Sequence, residues 1–271
     1  MFVSTTRLQN DTLFSADFIK VIKATRNEKC IIPIQEEGRN LPFFSVPGLL
    51  LYKPLAECLG TNQPFYGFES PALYQKDAPV KGIAAGFIKE IKNIQPEGPY
   101  FLGAYCDHYE VIFEMAFQLM GEQDAAPLVV LFESYPPETF LPKTAPVYIR
   151  RKMRWYYHQL KGQSFTGKLK FIVRQVKAVR GYLRHLSWQG NGDKVNIRPY
   201  PGKVVLFKCA VPPPAFRKDA HTAWHKYITG DIEVYTIPGD HNSFLKYPAV
   251  VELGQKLSAI LEGANKKEVV P

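Results

Sequence analysis

The chain has 271 residues, 46% of them hydrophobic, and it carries 34 Lys and Arg against 25 Asp and Glu for a net charge of +9. This length and composition are typical of one large α/β domain, or of one domain with a substantial insertion. No stretch approaches the roughly 18 apolar residues of a membrane span, and residues 1–29 lack the apolar centre of a signal peptide. We therefore expect a cytoplasmic, free-standing protein with an N-terminal extension over residues 1–29.

Short apolar runs alternate with helix-like segments along most of the chain. Strands are predicted over residues 31–34, 42–46, 65–68, 100–104, 128–132, 203–208 and 233–237. Helices are predicted over residues 52–59, 83–94, 109–120 and 250–261. This alternation predicts a mostly parallel sheet covered on both faces, with any site along the edge where the strands end. The core is expected over residues 30–138 and 190–265.

Residues 139–189 interrupt the alternation with a strongly basic segment. It holds twelve Lys and Arg and no Asp or Glu, which leaves 22 basic against 25 acidic residues elsewhere. Two helices, over residues 147–160 and 168–186, predict a helical lid. The charge favours a docking surface for an acidic or phosphorylated partner, with Arg150, Arg151, Arg154 and Arg174 as candidates. A solvated helix face is an equal alternative, and no nucleic-acid motif accompanies the charge.

Four Cys residues, at positions 30, 58, 106 and 209, show neither CxxC spacing nor a dense disulfide pattern. This usage predicts reduced thiols and gives little support to a metal site. Cys106 stands where a predicted strand gives way to a helix, and there the helix dipole would favour the thiolate. A Cys that packs as a small hydrophobe is the alternative.

Three residues at predicted strand ends follow the order nucleophile, acid, histidine. Cys106 follows the strand over 100–104, Glu133 follows the strand over 128–132, and His241 follows the last strand. This is the chain order of the α/β-hydrolase triad, in which the His takes the nucleophile's proton and the acid orients the imidazole. Each residue alone has a structural explanation, whereas all three at strand ends favour a catalytic group.

At this point several separated motifs resemble the thioesterase domains of nonribosomal peptide and polyketide synthases. The motifs are IPIQ (32–35), YKPLA (52–56), QPFYG (63–67), GPYFLG (98–103), FEMA (113–116), YPGKV (200–204) and PGDH (238–241). The resemblance covers roughly residues 30 to 262. It implies an α/β-hydrolase fold with a helical lid, Cys106 as nucleophile, Glu133 as triad acid and His241 as base. It also implies oxyanion donors in the backbone N–H of Asp107 and that of Leu49 or Gly48.

The chain departs from the family pattern around its nucleophile. Ala104 and His108 stand where the family has Gly, and Glu133 stands where Asp is usual. The loop after residue 46 has Pro47 in place of the usual His, and it is shorter than the Gly-rich version. His108 is expected to contact the thiol, to narrow the acyl channel or to mark an elbow that no longer serves ordinary hydrolysis. Packing beside the site without a role is an equal alternative.

Two functions follow from these patterns. The first is an enzyme that releases or transfers an acyl, peptidyl or polyketide chain from a carrier-protein thioester through an acyl-Cys106 intermediate. It would need no bound cofactor or metal, since the substrate would arrive on a phosphopantetheine arm, and a small molecule could accept the chain. The alternative is a noncatalytic or repurposed α/β-hydrolase relative that binds a carrier protein or a ligand.

Overall fold

The structure is a computed structural model. It describes residues 30–48, 50–70, 73, 79–122, 125–139, 146–161, 164–167, 169, 198–213 and 220–267. The predicted N-terminal extension lies outside the described residues, as does the predicted second basic helix apart from residue 169.

Seven strands form one sheet. They are β1 (Ile31–Gln35), β2 (Phe43–Val46), β3 (Phe65–Phe68), β4 (Phe101–Tyr105), β5 (Leu128–Phe132), β6 (Val204–Val211) and β7 (Ile232–Asp240). Their order across the sheet is β1-β3-β2-β4-β5-β6-β7, with β1 antiparallel to β3 and every other pair parallel. The predicted mostly parallel sheet is confirmed, and its parallel strands all end at the same edge.

Five α-helices are described. They are α1 (Lys53–Leu59), α2 (Val80–Ile94), α3 (Tyr109–Glu122), α4 (Pro146–Leu160) and α5 (Ala249–Lys267). Helix α2 begins three residues before its predicted start, because Pro79 precedes a first turn that lacks the apolar spacing of the later turns. Among the described helices, none is long and apolar enough to cross a membrane.

The core lies on both faces of the central strands, whose sequences are mostly apolar. All five residues of β5 and all four of β2 are buried, as expected for parallel strands covered on both sides. Gly103 in β4 leaves the space that the Phe43 ring fills, because a Cβ there would lie 2.6 Å from that ring. Phe43 in turn packs edge-on against Phe132, with centroids 6.3 Å apart. Aromatic packing thus fixes the centre of the sheet beneath the strand ends.

The chain divides into two compact units. One comprises residues 1–134, 198–211 and 224–271 and contains the sheet; the other comprises residues 135–197 and 212–223 and contains α4. The predicted boundaries of the basic segment, 139 and 189, stay a prediction.

The loop after β2 is held against β3 by a close backbone approach. The Gly48 N–H donates a hydrogen bond to the Phe68 carbonyl. A Cβ on Gly67 would lie 2.5 Å from the Gly48 Cα, so neither strand nor loop has room for a side chain there. The loop that is expected to carry an oxyanion donor therefore depends on glycine at both positions.

Gly67→Ala is expected to destabilise the protein by about 1–3 kcal/mol, because the new methyl group must displace backbone atoms of the loop after β2. Gly86→Ala is the matched control: residue 86 is exposed on α2 with open space around it, and Ala should stabilise the helix by about 1 kcal/mol. Urea unfolding of both variants measures the difference. Equal free energies of unfolding would contradict the proposed close approach.

Candidate active site

Cys106 lies at a sharp turn between β4 and α3. Strand β4 ends at Tyr105, a single 3₁₀ turn covers Cys106–His108, and α3 begins at Tyr109. Cys106 has a φ of 58°, in the left-handed region that few residues other than Gly adopt. A strained nucleophile on a strand-to-helix turn is the geometry of the hydrolase elbow. The predicted strand end was one residue short, because Tyr105 is the last residue paired to β5.

Glu133 occupies the corresponding position at the end of the next strand. It follows β5 directly, has a φ of 50° and is almost fully buried. Its backbone N–H donates to the Phe207 carbonyl at 2.8 Å, and its Oε1 accepts a hydrogen bond from the Cys209 backbone N–H. Two contacts with β6 therefore fix the carboxyl group at the end of the sheet.

His241 meets that carboxyl group from the end of β7. Its Nδ1 lies 3.4 Å from Glu133 Oε2, and about one third of its side chain is exposed. The turn that carries it is tied by Asp240, whose Oδ1 accepts hydrogen bonds from the backbone N–H groups of Asn242 and Ser243 at 3.0 Å each. The structure thus brings together the acid and the base that the sequence analysis paired.

Tyr105 is a site residue that the sequence analysis missed. Its hydroxyl donates to the His241 carbonyl at 2.9 Å and lies 3.2 Å from His241 Nε2. The two rings stack with centroids 5.1 Å apart. Burial raises the pKa of the Tyr105 hydroxyl far above its usual value, so the group keeps its proton. The one signal in the sequence was an aromatic residue directly before the proposed nucleophile.

The hydrogen-bond partner of the Cys106 thiol is the neighbouring residue Asp107. Cys106 is half-buried, and its thiol donates a hydrogen bond to Asp107 Oδ1. Burial raises the pKa of the Cys106 thiol well above its usual range, and the Asp107 carboxylate raises it further. The backbone N–H of Asp107 acts in the opposite direction without offsetting the rise. In the resting protein, burial and the Asp107 carboxylate therefore outweigh any preference for the thiolate at the helix N-terminus.

The expected oxyanion donors are only partly available. The Gly48 N–H is already engaged with the Phe68 carbonyl, so in this structure it does not serve as the second donor. Leu49, the other candidate, lies outside the described residues. Asp107 directly follows Cys106, as a first donor requires. The pair of donors stays a prediction.

The basic candidates lie on α4 in the second unit. Arg150 and Arg154 are exposed and Arg151 is half-exposed. Arg174 lies outside the described residues.

Known proteins with similar sequences and structures support the fold. No family model matches the chain. The chain is 24% identical over 91% of its length to chondramide synthase cmdD of Chondromyces crocatus, and 26% identical over 87% to a dimodular nonribosomal peptide synthase of Bacillus subtilis strain 168. The solved NocB thioesterase domain from the nocardicin cluster matches 86% of this chain and 99% of its own, with a TM-score of 0.55 and 21% identity.

The chain shares its α/β fold, with a mostly parallel seven-stranded sheet, with the NocB thioesterase domain. It spans 8% and 11% of the lengths of these two synthases, so it corresponds to one domain-sized part of each.

His108 lies at the end of the 3₁₀ turn that follows β4. His108 Nδ1 lies 3.0 Å from the Tyr105 carbonyl, and because a carbonyl can only accept, Nδ1 carries the proton. Burial lowers the pKa of His108 and favours the neutral ring. Ala104 is fully buried within β4. The His ring therefore caps the end of β4, which the sequence analysis did not anticipate.

Asp107→Asn is expected to lower the pKa of the Cys106 thiol, because it removes a neighbouring negative charge. Below the thiol pKa, the fraction of thiolate rises when that pKa falls, so alkylation of Cys106 by iodoacetamide should be faster at pH 7 to 8. The measurement is the alkylation rate against pH, followed at Cys106 by peptide mass spectrometry. Glu110→Gln, which removes a charge three residues further along the chain, is the control. Identical profiles for the wild type and Asp107→Asn would contradict the assigned contact.

Proposed function

We propose that the protein transfers an acyl, peptidyl or polyketide chain from a carrier-protein thioester through a covalent acyl-Cys106 intermediate. The observation that carries the proposal is the Glu133–His241 pair at the ends of β5 and β7, beside a Cys held at a φ of 58° at the end of β4. The similarity to nonribosomal peptide synthases over most of the chain supports the choice of substrate class.

The proposed chemistry has two balanced steps. His241 Nε2 takes the Cys106 proton, the sulfur bonds to the thioester carbonyl carbon, and the bond to the carrier-arm sulfur breaks; the arm leaves as a thiol with the proton from Nε2. Water, an amine or an alcohol then gives its proton to Nε2 and bonds to the same carbon, and Cys106 leaves and is reprotonated. The Asp107 N–H would donate to the oxyanion in both steps. Because the intermediate is itself a thioester, hydrolysis, ring closure and transfer all remain downhill.

Glu133 would support the base in these steps. A carboxyl group beside Nδ1 holds the imidazole in the tautomer whose Nε2 accepts a proton, and it stabilises the imidazolium that forms. The buried position of Glu133 and its hydrogen bond from Cys209 restrict how the carboxyl group can turn.

We further propose that α4 contributes to carrier-protein binding. Arg150 and Arg154 are exposed on this helix, and a row of exposed apolar residues one turn apart accompanies them. These are Ile149, Met153 and Tyr157. Positive charge complements an acidic carrier, and the apolar area beside it could contact apolar groups of the carrier or of its acyl chain.

Cys106→Ala is expected to abolish the acyl-enzyme that forms with an acyl N-acetylcysteamine thioester, because it removes the attacking sulfur. Intact-protein mass spectrometry detects the added acyl mass. Cys58→Ala, which removes another half-buried thiol, should be acylated like the wild type. Persistent acylation of Cys106→Ala would overturn the assignment of the nucleophile.

A noncatalytic binding protein is the second candidate. The observation that favours it is that, among the described residues, the Cys106 thiol and His241 Nε2 have hydrogen-bond partners other than each other. This candidate is supported if the wild type is not acylated but still binds a carrier protein.

Arg150→Glu is expected to weaken binding of an acidic carrier protein severalfold at low salt, because it reverses a charge on α4. Lys89→Glu makes the same charge change at an exposed position of α2 and is the matched control. Titration calorimetry at two salt concentrations gives both affinities. Equal losses in the two variants would remove α4 as the docking surface.

A further inference from the structure

Each of the two residues that flank Cys106 contacts one half of the proposed catalytic pair, Cys106 and His241. Asp107, on one side, accepts the hydrogen bond of the thiol, and Tyr105, on the other, places its hydroxyl 3.2 Å from His241 Nε2. Nε2 is the atom that must accept the thiol proton if His241 is the base. Tyr105 therefore contacts the lone pair that the proposed reaction needs.

The protons of this contact can be counted. Glu133 faces Nδ1 of His241, so in the neutral ring Nδ1 carries the proton and Nε2 carries a lone pair. The Tyr105 hydroxyl has one proton, which can be given to the His241 carbonyl at 2.9 Å or to Nε2 at 3.2 Å. When Nε2 receives it, the imidazole cannot accept the proton of Cys106. The two acceptors belong to the same residue, so the exchange needs only rotation of one hydroxyl.

We propose that Tyr105 is a positioning residue that competes with Cys106 for Nε2 of His241 and sets the fraction of molecules in which the thiol and the base are coupled. This inference rests on the proposed function of His241 as the base. The apparent rate of thiol activation is then the intrinsic rate multiplied by the coupled fraction. Removing the Tyr105 hydroxyl therefore ends the competition for His241 Nε2.

Tyr105 is well held for this role. Its backbone is paired to Phe132 in β5, and its carbonyl accepts the hydrogen bond of His108. Its ring stacks on the imidazole at 24° between the planes. Because both ends of the residue are fixed, the hydroxyl stays within reach of His241 whether or not it donates to Nε2.

The test measures iodoacetamide alkylation of Cys106 at pH 7, which reports coupling of thiol and base without requiring acyl transfer. Tyr105→Phe is expected to raise the rate roughly two- to tenfold, the range that the loss of one neutral hydrogen bond implies. In a His241→Ala background the same substitution should have no effect, because the imidazole that Tyr105 contacts is absent. Tyr200→Phe, which removes a buried phenol whose hydroxyl bonds to Pro127, is the control and should match the wild type.

The outcomes separate this inference from the proposed function. Faster alkylation of Tyr105→Phe that depends on His241 supports the inference even if no thioester acylates the protein. An unchanged or slower rate, or an equal increase in the His241→Ala background, overturns it. Acylation by the N-acetylcysteamine thioester, measured on the same variants, reports the proposed function independently.

A second measurement avoids any change at Tyr105. The ¹⁵N shift of His241 Nε2, assigned by comparison with His241→Ala, should differ between the wild type and Cys106→Ala by at most about half of the change expected for a lost hydrogen bond, because Tyr105 is the more frequent partner of Nε2. A shift that changes by the amount expected for a lost hydrogen bond would show that Cys106 is the partner, and it would overturn the inference.

Discussion

The site depends on one buried carboxyl group. Glu133 is 1% exposed, and a carboxyl group removed from water needs polar partners. Its Oε1 accepts a hydrogen bond from the Cys209 backbone N–H in β6, and its Oε2 lies 3.4 Å from His241 Nδ1 after β7. Glu133 therefore joins the ends of three neighbouring strands. Its backbone is held at the strand end by a hydrogen bond from its own N–H to the Phe207 carbonyl.

Backbone strain lies at the ends of the same strands. Cys106 and Glu133 both have left-handed φ values, and neither is glycine. Such conformations cost of order 1–3 kcal/mol each and persist only where the surroundings fix them. The surroundings here are β4 and β5, which are paired along their full lengths in register and are buried except at Tyr105. The strain turns both side chains away from the direction of their strands, at the edge where parallel strands end.

Much of the sheet could be predicted from the sequence, because buried parallel strands read as apolar runs of four to eight residues. The ends of β3 and β5 agree with the prediction. β7 runs three residues further than predicted, through Pro238 and Gly239, since an edge strand tolerates both.

Tyr105 could not be assigned a role from the sequence, because its partner His241 is 136 residues away and the choice between the two ring nitrogens depends on the three-dimensional fold. The raised pKa of the Cys106 thiol could not be predicted for a related reason, because its cause is burial, which is a property of the folded chain.

The two unusual residues of the elbow are physically linked. The ring of His108 donates a hydrogen bond to the carbonyl of Tyr105. Tyr105 is also the residue whose side chain contacts His241. His108 is therefore linked to His241 through Tyr105 at the end of β4, whereas the Cys106 thiol is hydrogen-bonded to Asp107. With His241 as the proposed base and Cys106 as the proposed nucleophile, this linkage would control how often the two meet, while Cys106 keeps its place on the turn.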